Sequence, residues 1–312
     1  MRMEPPGDAE VLILFYNMFF DSHPDVSLID AAVRGFFTTD RSLYDRADAV
    51  VFHIPDLTFG EPSLEDIAAL QKPSGQLWVA WSMESGVNYP ALNDPGFMKH
   101  FDLVMSFSRS ADIWTSYCPS KDIWRRALEK PVGAKSAQAP LVMFQSSGFN
   151  RSARREFALE IMQELQVDSF GRSLNNKQLS EDRGRETKLE TISRYKFCLA
   201  LENAIEDDYV TEKFFDPLLV GVVPVYRGAP NVADFAPRKQ CFINTHDFSS
   251  VPALVAYLKH LIADEHAYKA YLSWRDAPLA TPFVERILER QRDPFTDLVA
   301  RLHSREKQAA PR

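Results

Sequence analysis

The chain runs twice through one pattern, apolar runs of strand length alternating with stretches of helical spacing, with a break between the two passes. In the first pass "EVLILFYN", "ADAVVFHI", "QLWVAWSM" and "FDLVMSFS" read as buried strands, the second of them rich in β-branched residues and stopped by Pro55. "SLEDIAALQK" has helical spacing, with Ser63 placed to cap it. Strands apolar on both faces, separated by helices, predict a parallel sheet covered on both sides. The break, "LEKPVGAKSAQAP" at 128–140, carries no apolar period and reads as a linker. Beyond it "PLVMFQSS", "VDSFG", "YKFCLALEN", "VVPVYRG" and "QCFINTHDF" read as strands. "SARREFALEIMQELQ", "TEKFFDPLLVG" and "SVPALVAYLKHLI" read as helices, the last with Val251, Leu254, Val255, Leu258, Leu261 and Ile262 on one stripe. "NNKQLSEDRGRETKLE" reads as a charged loop. The expected architecture is α/β, two Rossmann-like domains facing a cleft: residues 1–135, residues 136–285, and a helical tail over 286–312. A length of 312 residues, about twice a typical domain, agrees.

A net charge of −7 argues against a nucleic-acid partner, while leaving room for a local basic pocket. Cys118, Cys198 and Cys241 are odd in number and widely spaced, as expected of reduced thiols in a cytoplasmic protein. The start, "MRMEPPGDAE", is polar, unlike the basic flank of a signal sequence. "VLILFYNMFF" is ten residues long, about half a bilayer span. No transmembrane span is expected. G-x-G-x-x-G, the Walker A motif, H-E-x-x-H and G-x-S-x-G are all absent. So is D-x-D, the acidic pair that would hold a divalent ion on a nucleotide sugar.

"YVTEK" sets a tyrosine, a glutamate and a lysine between two apolar runs. Thr211 is a good cap for a helix starting at Glu212. Lys213 then falls in a first turn, where the helix dipole disfavours a cation. A bound anion would resolve that conflict, since helix N-termini suit phosphate; a lysine pointing to solvent would also satisfy it. Glu212 would repel phosphate and suits sugar hydroxyls, with Tyr209 beside it. Glu202 and Asn203 read either as a strand-end turn or as part of a ligand site. His53 ends a strand before an X-Pro turn, near the expected cleft or in a structural hydrogen bond.

"YKFCLALEN…DDYVTEKFFDPLLVGVVPVYRGAP" resembles the signature of the α1,3/4-fucosyltransferases, inverting enzymes of GT-B fold that use GDP-fucose. "ADAVVFH", "WSMES", "FDLVMSFSRSADIW" and "FINTHDF" match in order, from about residue 45 to 260. The resemblance implies that Glu84 is the general base, and that Arg154 and Lys213 bind the donor diphosphate. It implies further that Tyr209 and Glu212 bind the ribose and that Asn203 lines the donor site. Arg151 and Arg155 flank Arg154 and compete for its role. The chain departs from the pattern at Pro217, inside the helix, at Arg227, where an apolar residue is usual, and at Gly86, where proline is usual.

The implied reaction moves L-fucose from GDP-fucose to a hydroxyl of an N-acetylglucosamine or glucose unit of a glycan, in α1,3 or α1,4 linkage. Arg154, Lys213 and the helix N-terminus would neutralise the leaving diphosphate, so no metal and no cofactor is expected. The partners are then GDP-fucose and a glycan acceptor, in a bacterial-type soluble enzyme on the cytoplasmic side, compatible with peripheral contact at the inner membrane. Two alternatives remain: a transferase of the same fold using another nucleotide sugar, which Arg227 keeps open, and a catalytically silent nucleotide- or glycan-binding protein. Retention of Glu84 together with Tyr209, Glu212 and Lys213 weighs against the second.

Overall fold

The computed structural model describes residues 11–309 apart from 21 and 61, so the polar start of the chain lies outside the described residues. The chain forms two compact units, one running to Ser116 and resumed from Arg292, the other from Tyr117 to Gln291. In the first, β1 (Ile13–Phe15), β2 (Phe37–Thr38), β3 (Ala49–His53), β4 (Leu77–Ser82), β5 (Leu103–Ser106) and β6 (Ile113–Trp114) pair in the order β2-β1-β3-β4-β5-β6. Every pairing is parallel. Successive side chains point to opposite faces. Ile13, Phe15, Val51, Val79 and Trp81 pack with Leu298, Val299 and Leu302 on one face. Leu14, Val50, Phe52, Trp78 and Ala80 pack with Leu57, Ile67 and Phe97 on the other. The unbroken apolar strands are thus buried twice over.

The second unit holds β7 (Leu141–Phe144), β8 (Val167–Phe170), β9 (Phe197–Leu201), β10 (Val223–Arg227) and β11 (Ile243–Asn244), in the order β11-β10-β9-β7-β8 and again all parallel. Leu254, Val255, Leu258 and Leu261, the stripe expected of helix Val251–Ala263, pack on one face with Ala158 and Ile161 of helix Arg154–Glu164. Both sheets change direction once. After β1 the chain adds β2 on one side and β3 on the other, and after β7 it adds β8 on one side and β9 on the other. Such switch points leave a crevice at the carboxyl ends of the strands, where ligands of open α/β sheets bind.

Several expectations need correction. The division falls after Ser116 rather than at 135/136, and the segment expected to link domains is a strap on the second unit. There the Lys135 ammonium donates to the carbonyls of Ser193 (3.0 Å) and Gly221 (2.7 Å), and Ala137 N–H to that of Arg194. Gly221 lies at φ +66° against Val132, where a Cβ would come within 2.7 Å of a valine methyl. The strap is held by an ammonium and main-chain groups, which leave no apolar period to read. The tail is likewise no separate element: helix Pro294–Ala309 supplies Leu298, Val299 and Leu302 to the first unit's core. Part of the charged loop is helix Arg185–Ser193, whose buried residues are Thr187, Thr191 and Ile192, a face made mostly of threonine. "QCFINTHDF" contributes only the two residues of β11. Pro217 does not end its helix, which runs from Glu212 to Leu219.

Leu298 has no exposed surface. Leu298→Ala is expected to cost about 2–5 kcal/mol of stability in the first unit, read by urea unfolding followed through tryptophan fluorescence. A loss below about 0.5 kcal/mol would mean that the helix does not contribute to that core.

Candidate active site

The second unit's switch point gathers most of the predicted donor residues. Thr211 caps helix Glu212–Leu219, its hydroxyl accepting from Lys213 N–H. The conflict of a cation in a first turn is met inside the protein. Lys213 Nζ donates to Thr211 Oγ1 at 2.9 Å and lies 3.4 Å from both Glu202 Oε2 and Glu212 Oε1. Its side chain keeps 20% of its surface accessible, so it neither points freely to solvent nor is sealed away. Glu212, with 40% of its side chain accessible, also faces Lys188 Nζ at 3.7 Å. Burial opposes its ionisation, but Lys213 and Lys188 hold its carboxyl down to about 2. It is therefore a carboxylate throughout the physiological range, able to accept hydrogen bonds from sugar hydroxyls.

Glu202, at the end of β9, has no exposed surface. Asn203 is buried beside it, its carbonyl accepting from Ser152 N–H at 3.2 Å. Tyr209 is also buried, and its carbonyl accepts from the Tyr226 hydroxyl at 3.3 Å. Of the three neighbouring arginines, Arg154 is fully buried. Its guanidinium donates to the carbonyls of Ser147 (2.9 Å) and Leu201 (3.3 Å), tying the loop after β7 to the end of β9. Its position comes from Ala153, which adopts φ +53°, a left-handed conformation unusual for alanine, just before the helix. Arg155, exposed, lines a pocket of about 310 Å³ with Gln145, Phe149 and Arg172. Arg227 ends β10; its Nε donates to Ser152 carbonyl at 3.0 Å and its guanidinium lies 4.8 Å from the Phe157 ring centre. Both contacts tie the Arg227 side chain to the segment after β7.

In the first unit Glu84 follows β4 by two residues and is half-buried, its backbone fixed by Ser82, whose hydroxyl accepts from Glu84 N–H and donates to Glu84 carbonyl (both 3.0 Å). His53 ends the adjacent strand, opposite Trp81 in register. It is buried against Phe19, Phe20 and Trp81, with Nδ1 2.6 Å from Asp56 Oδ2. Burial lowers its pKa and Asp56 opposes the shift. Tyr89 joins the same end of the sheet: burial raises its phenol to about 12, with Glu84 and Asp56 adding to the rise. Gly86 is buried where a Cβ would press on the Asn93 side chain at 2.4 Å. Asp56, Tyr89, Ser152, Lys188 and Tyr226 escaped sequence reading. Only Asp56 left a signal, three residues after a strand-end histidine across a helix start.

The amino-terminal part, residues 8–118, matches the family model "Fucosyltransferase, N-terminal", and residues 134–311 match "Glycosyltransferase family 10 (fucosyltransferase) C-term". The chain belongs to glycosyltransferase family 10. It is 34% identical over 282 residues to human 4-galactosyl-N-acetylglucosaminide 3-alpha-L-fucosyltransferase, covering 88% of this chain and 72% of that one. It is 31% identical to alpha-(1,3)-fucosyltransferase B of Drosophila melanogaster, over 75% of this chain and 55% of that one. Identity is also 31% to human GDP-fucose protein O-fucosyltransferase 3, over 77% and 52%. The chain spans about half the length of these last two relatives. A crystal structure of an alpha1,3-fucosyltransferase with GDP-fucose superposes with a TM-score of 0.59 at 16% identity, over 94% of this chain and 95% of that one. The fold is GT-B, as expected.

Gly228 carries a direct test of the donor cluster's packing. A Cβ there would lie 2.4 Å from Tyr226 Oη and 2.5 Å from Glu202 Cγ, both fully buried and unable to step aside. Gly228→Ala is expected to destabilise the second unit by about 1–3 kcal/mol, seen as a lower melting temperature. An unchanged melting temperature would mean that Glu202 is held more loosely than this.

Proposed function

We propose that the protein transfers L-fucose with inversion from GDP-fucose to a hydroxyl of an N-acetylglucosamine or glucose unit in a glycan, in α1,3 or α1,4 linkage. The observation that carries this reading is the lysine and carboxylate pair, Lys213 with Glu212, on one helix N-terminus at a switch point of a family 10 chain. Lys213, at the positive end of the helix dipole, meets the diphosphate. Glu212 accepts from the ribose hydroxyls. The pocket formed by Gln145, Phe149 and Arg172 suits the base: an aromatic face, an amide and a guanidinium donor. Arg155, on its rim, is better placed to reach an anion than the fully buried Arg154.

Glu84 takes the proton from the acceptor hydroxyl as its oxygen bonds to C1 and the bond from C1 to diphosphate oxygen breaks. The bonding pair leaves with GDP. Fixed cations neutralise that charge, so the reading includes no resident metal. A protein hydroxyl as acceptor is the second reading, favoured by the similarity to protein O-fucosyltransferase 3. We also infer a reducing, cytoplasmic setting, which three buried cysteines that form no disulfide among the described residues support.

Glu84→Gln is expected to lower kcat by roughly 10²-fold or more while GDP affinity stays unchanged. Retention of more than half of wild-type kcat would remove Glu84 from the chemistry. In EDTA, GDP at about 100 times Kd is expected to raise stability by roughly 2.7 kcal/mol, a thermal shift of a few degrees, with GMP and UDP protecting less. Protection by UDP and not by GDP would reject GDP-fucose as donor. Transfer lost in EDTA and restored by Mn²⁺ would reject the metal-free reading.

A further inference from the structure

We propose that Glu202 is the positioning residue of the donor site, its buried carboxylate holding Lys213 and the Thr211 cap where Lys213 meets the donor diphosphate. The proposal rests on the donor reading above and goes beyond it in naming what aims the lysine.

Thr211 and Lys213 present donors to the Glu202 carboxylate. Oε1 accepts from Thr211 N–H at 2.8 Å, and Oε2 from the Thr211 hydroxyl at 2.9 Å, with Lys213 Nζ 3.4 Å away. The Thr211 hydroxyl itself accepts from Lys213 Nζ and N–H, which commits its own proton to Glu202. These donors suit an ionised carboxylate: burial raises its pKa, Lys213 works against the rise, Glu212 adds to it, and the Thr211 hydrogen bonds oppose it. The main chain of Glu202 is tied on both sides. Its N–H donates to Arg227 carbonyl at 2.8 Å, and its own carbonyl accepts from Ser152 Oγ at 2.5 Å.

The two carboxylates on Lys213 therefore differ in kind. Glu202 has no accessible surface, and removing a partner from so deep a charge would strand it. Glu212 is 40% accessible and shares Lys188. An arriving diphosphate oxygen can replace Glu212 on the ammonium, which frees Glu212 for the ribose hydroxyls, while Glu202 remains. Glu202 thus keeps the lysine aimed and charged before the donor arrives and while it is bound.

The charged and titratable groups around Lys213 fix the sign of the pH effect. Burial disfavours its ammonium and Arg154 adds to that, while Glu202 and Glu212 more than offset both and raise its pKa. Lys188 lies on Glu212 and on Asp216, which also pairs with Arg185. Tyr226, its phenol raised by burial and by Glu202, stays neutral. With Glu202 uncharged, only Glu212 opposes burial, and Lys213 loses its proton at lower pH.

The test is GDP titration calorimetry on wild type, Glu202→Gln and Glu202→Asp over a neutral-to-alkaline series. Results are read as the ratio of variant to wild type at each pH, which cancels the titration of guanine itself. The glutamine variant is expected to lose about tenfold or more affinity relative to wild type on the alkaline side, with a smaller loss near neutrality. The aspartate variant, shorter but charged, is expected to bind several-fold more weakly at a ratio that does not change with pH. A glutamine ratio that is flat across the series overturns the proposal, because a purely structural role moves affinity without moving its pH dependence. Should the glutamine variant not fold, Glu202→Asp decides alone: wild-type affinity at every pH overturns the proposal. Failure of the wild type to bind GDP would instead remove the donor reading itself.

Discussion

A carboxylate with no exposed surface stands at the end of β9, and the ligand end of the second unit is arranged around its satisfaction. An ionised group taken out of water loses several kcal/mol of solvation unless donors surround it. Glu202 finds them in the cap and first turn of the following helix, Thr211 and Lys213. The loop after β7 is drawn in by the same end of β9, through Ser152 and Arg154. A helix N-terminus disfavours a cation by about 0.3–1 kcal/mol. That is small against the cost of stranding Glu202, so the lysine stays.

The two units solve one packing problem in the same way. Parallel strands must be covered on both faces, so their polar groups can collect only at the strand ends. Each sheet reverses direction once, and the predicted site residues lie beside that reversal: His53 next to the loop after β1, and Glu202, Asn203 and Lys213 next to the loop after β7. The loops there carry positive φ on non-glycine residues, at Phe20 in the first unit and at Ala153 and Asp208 in the second. Each is held by its neighbours: Phe20 N–H donates to Asp56, Ala153 N–H to the Asn150 carbonyl, and Asp208 N–H to Asn231.

Strand composition made both sheets legible, because strands buried on two faces are continuous apolar runs such as Ala49–His53 and Phe197–Leu201. The cap at Thr211 and the stripe of helix Val251–Ala263 were readable for the same local reasons. What was not legible depends on contacts distant in sequence. The strap at 128–140 is held by Lys135 on carbonyls more than fifty residues away, and no local pattern announces that. The anion conflict at Lys213 was visible, but its resolution by Glu202 needed the fold, since the two are separated by a loop whose path the sequence does not specify. Arg154 is a further case: its residue type suggested a phosphate ligand, but its burial and its bonds to the carbonyls of Ser147 and Leu201 could be read only from the fold.

The second unit is one continuous stretch of chain, whereas the first is interrupted and finished only by the helix from Pro294. During synthesis the order of completion is therefore inverted. The second unit has all its strands once Gln291 has emerged, but the first must wait, with the β1–β4 face that Leu298, Val299 and Leu302 will cover still open to water. The part translated first is the last to close, and it is that half-built face, more than any finished surface, that nascent-chain chaperones would meet.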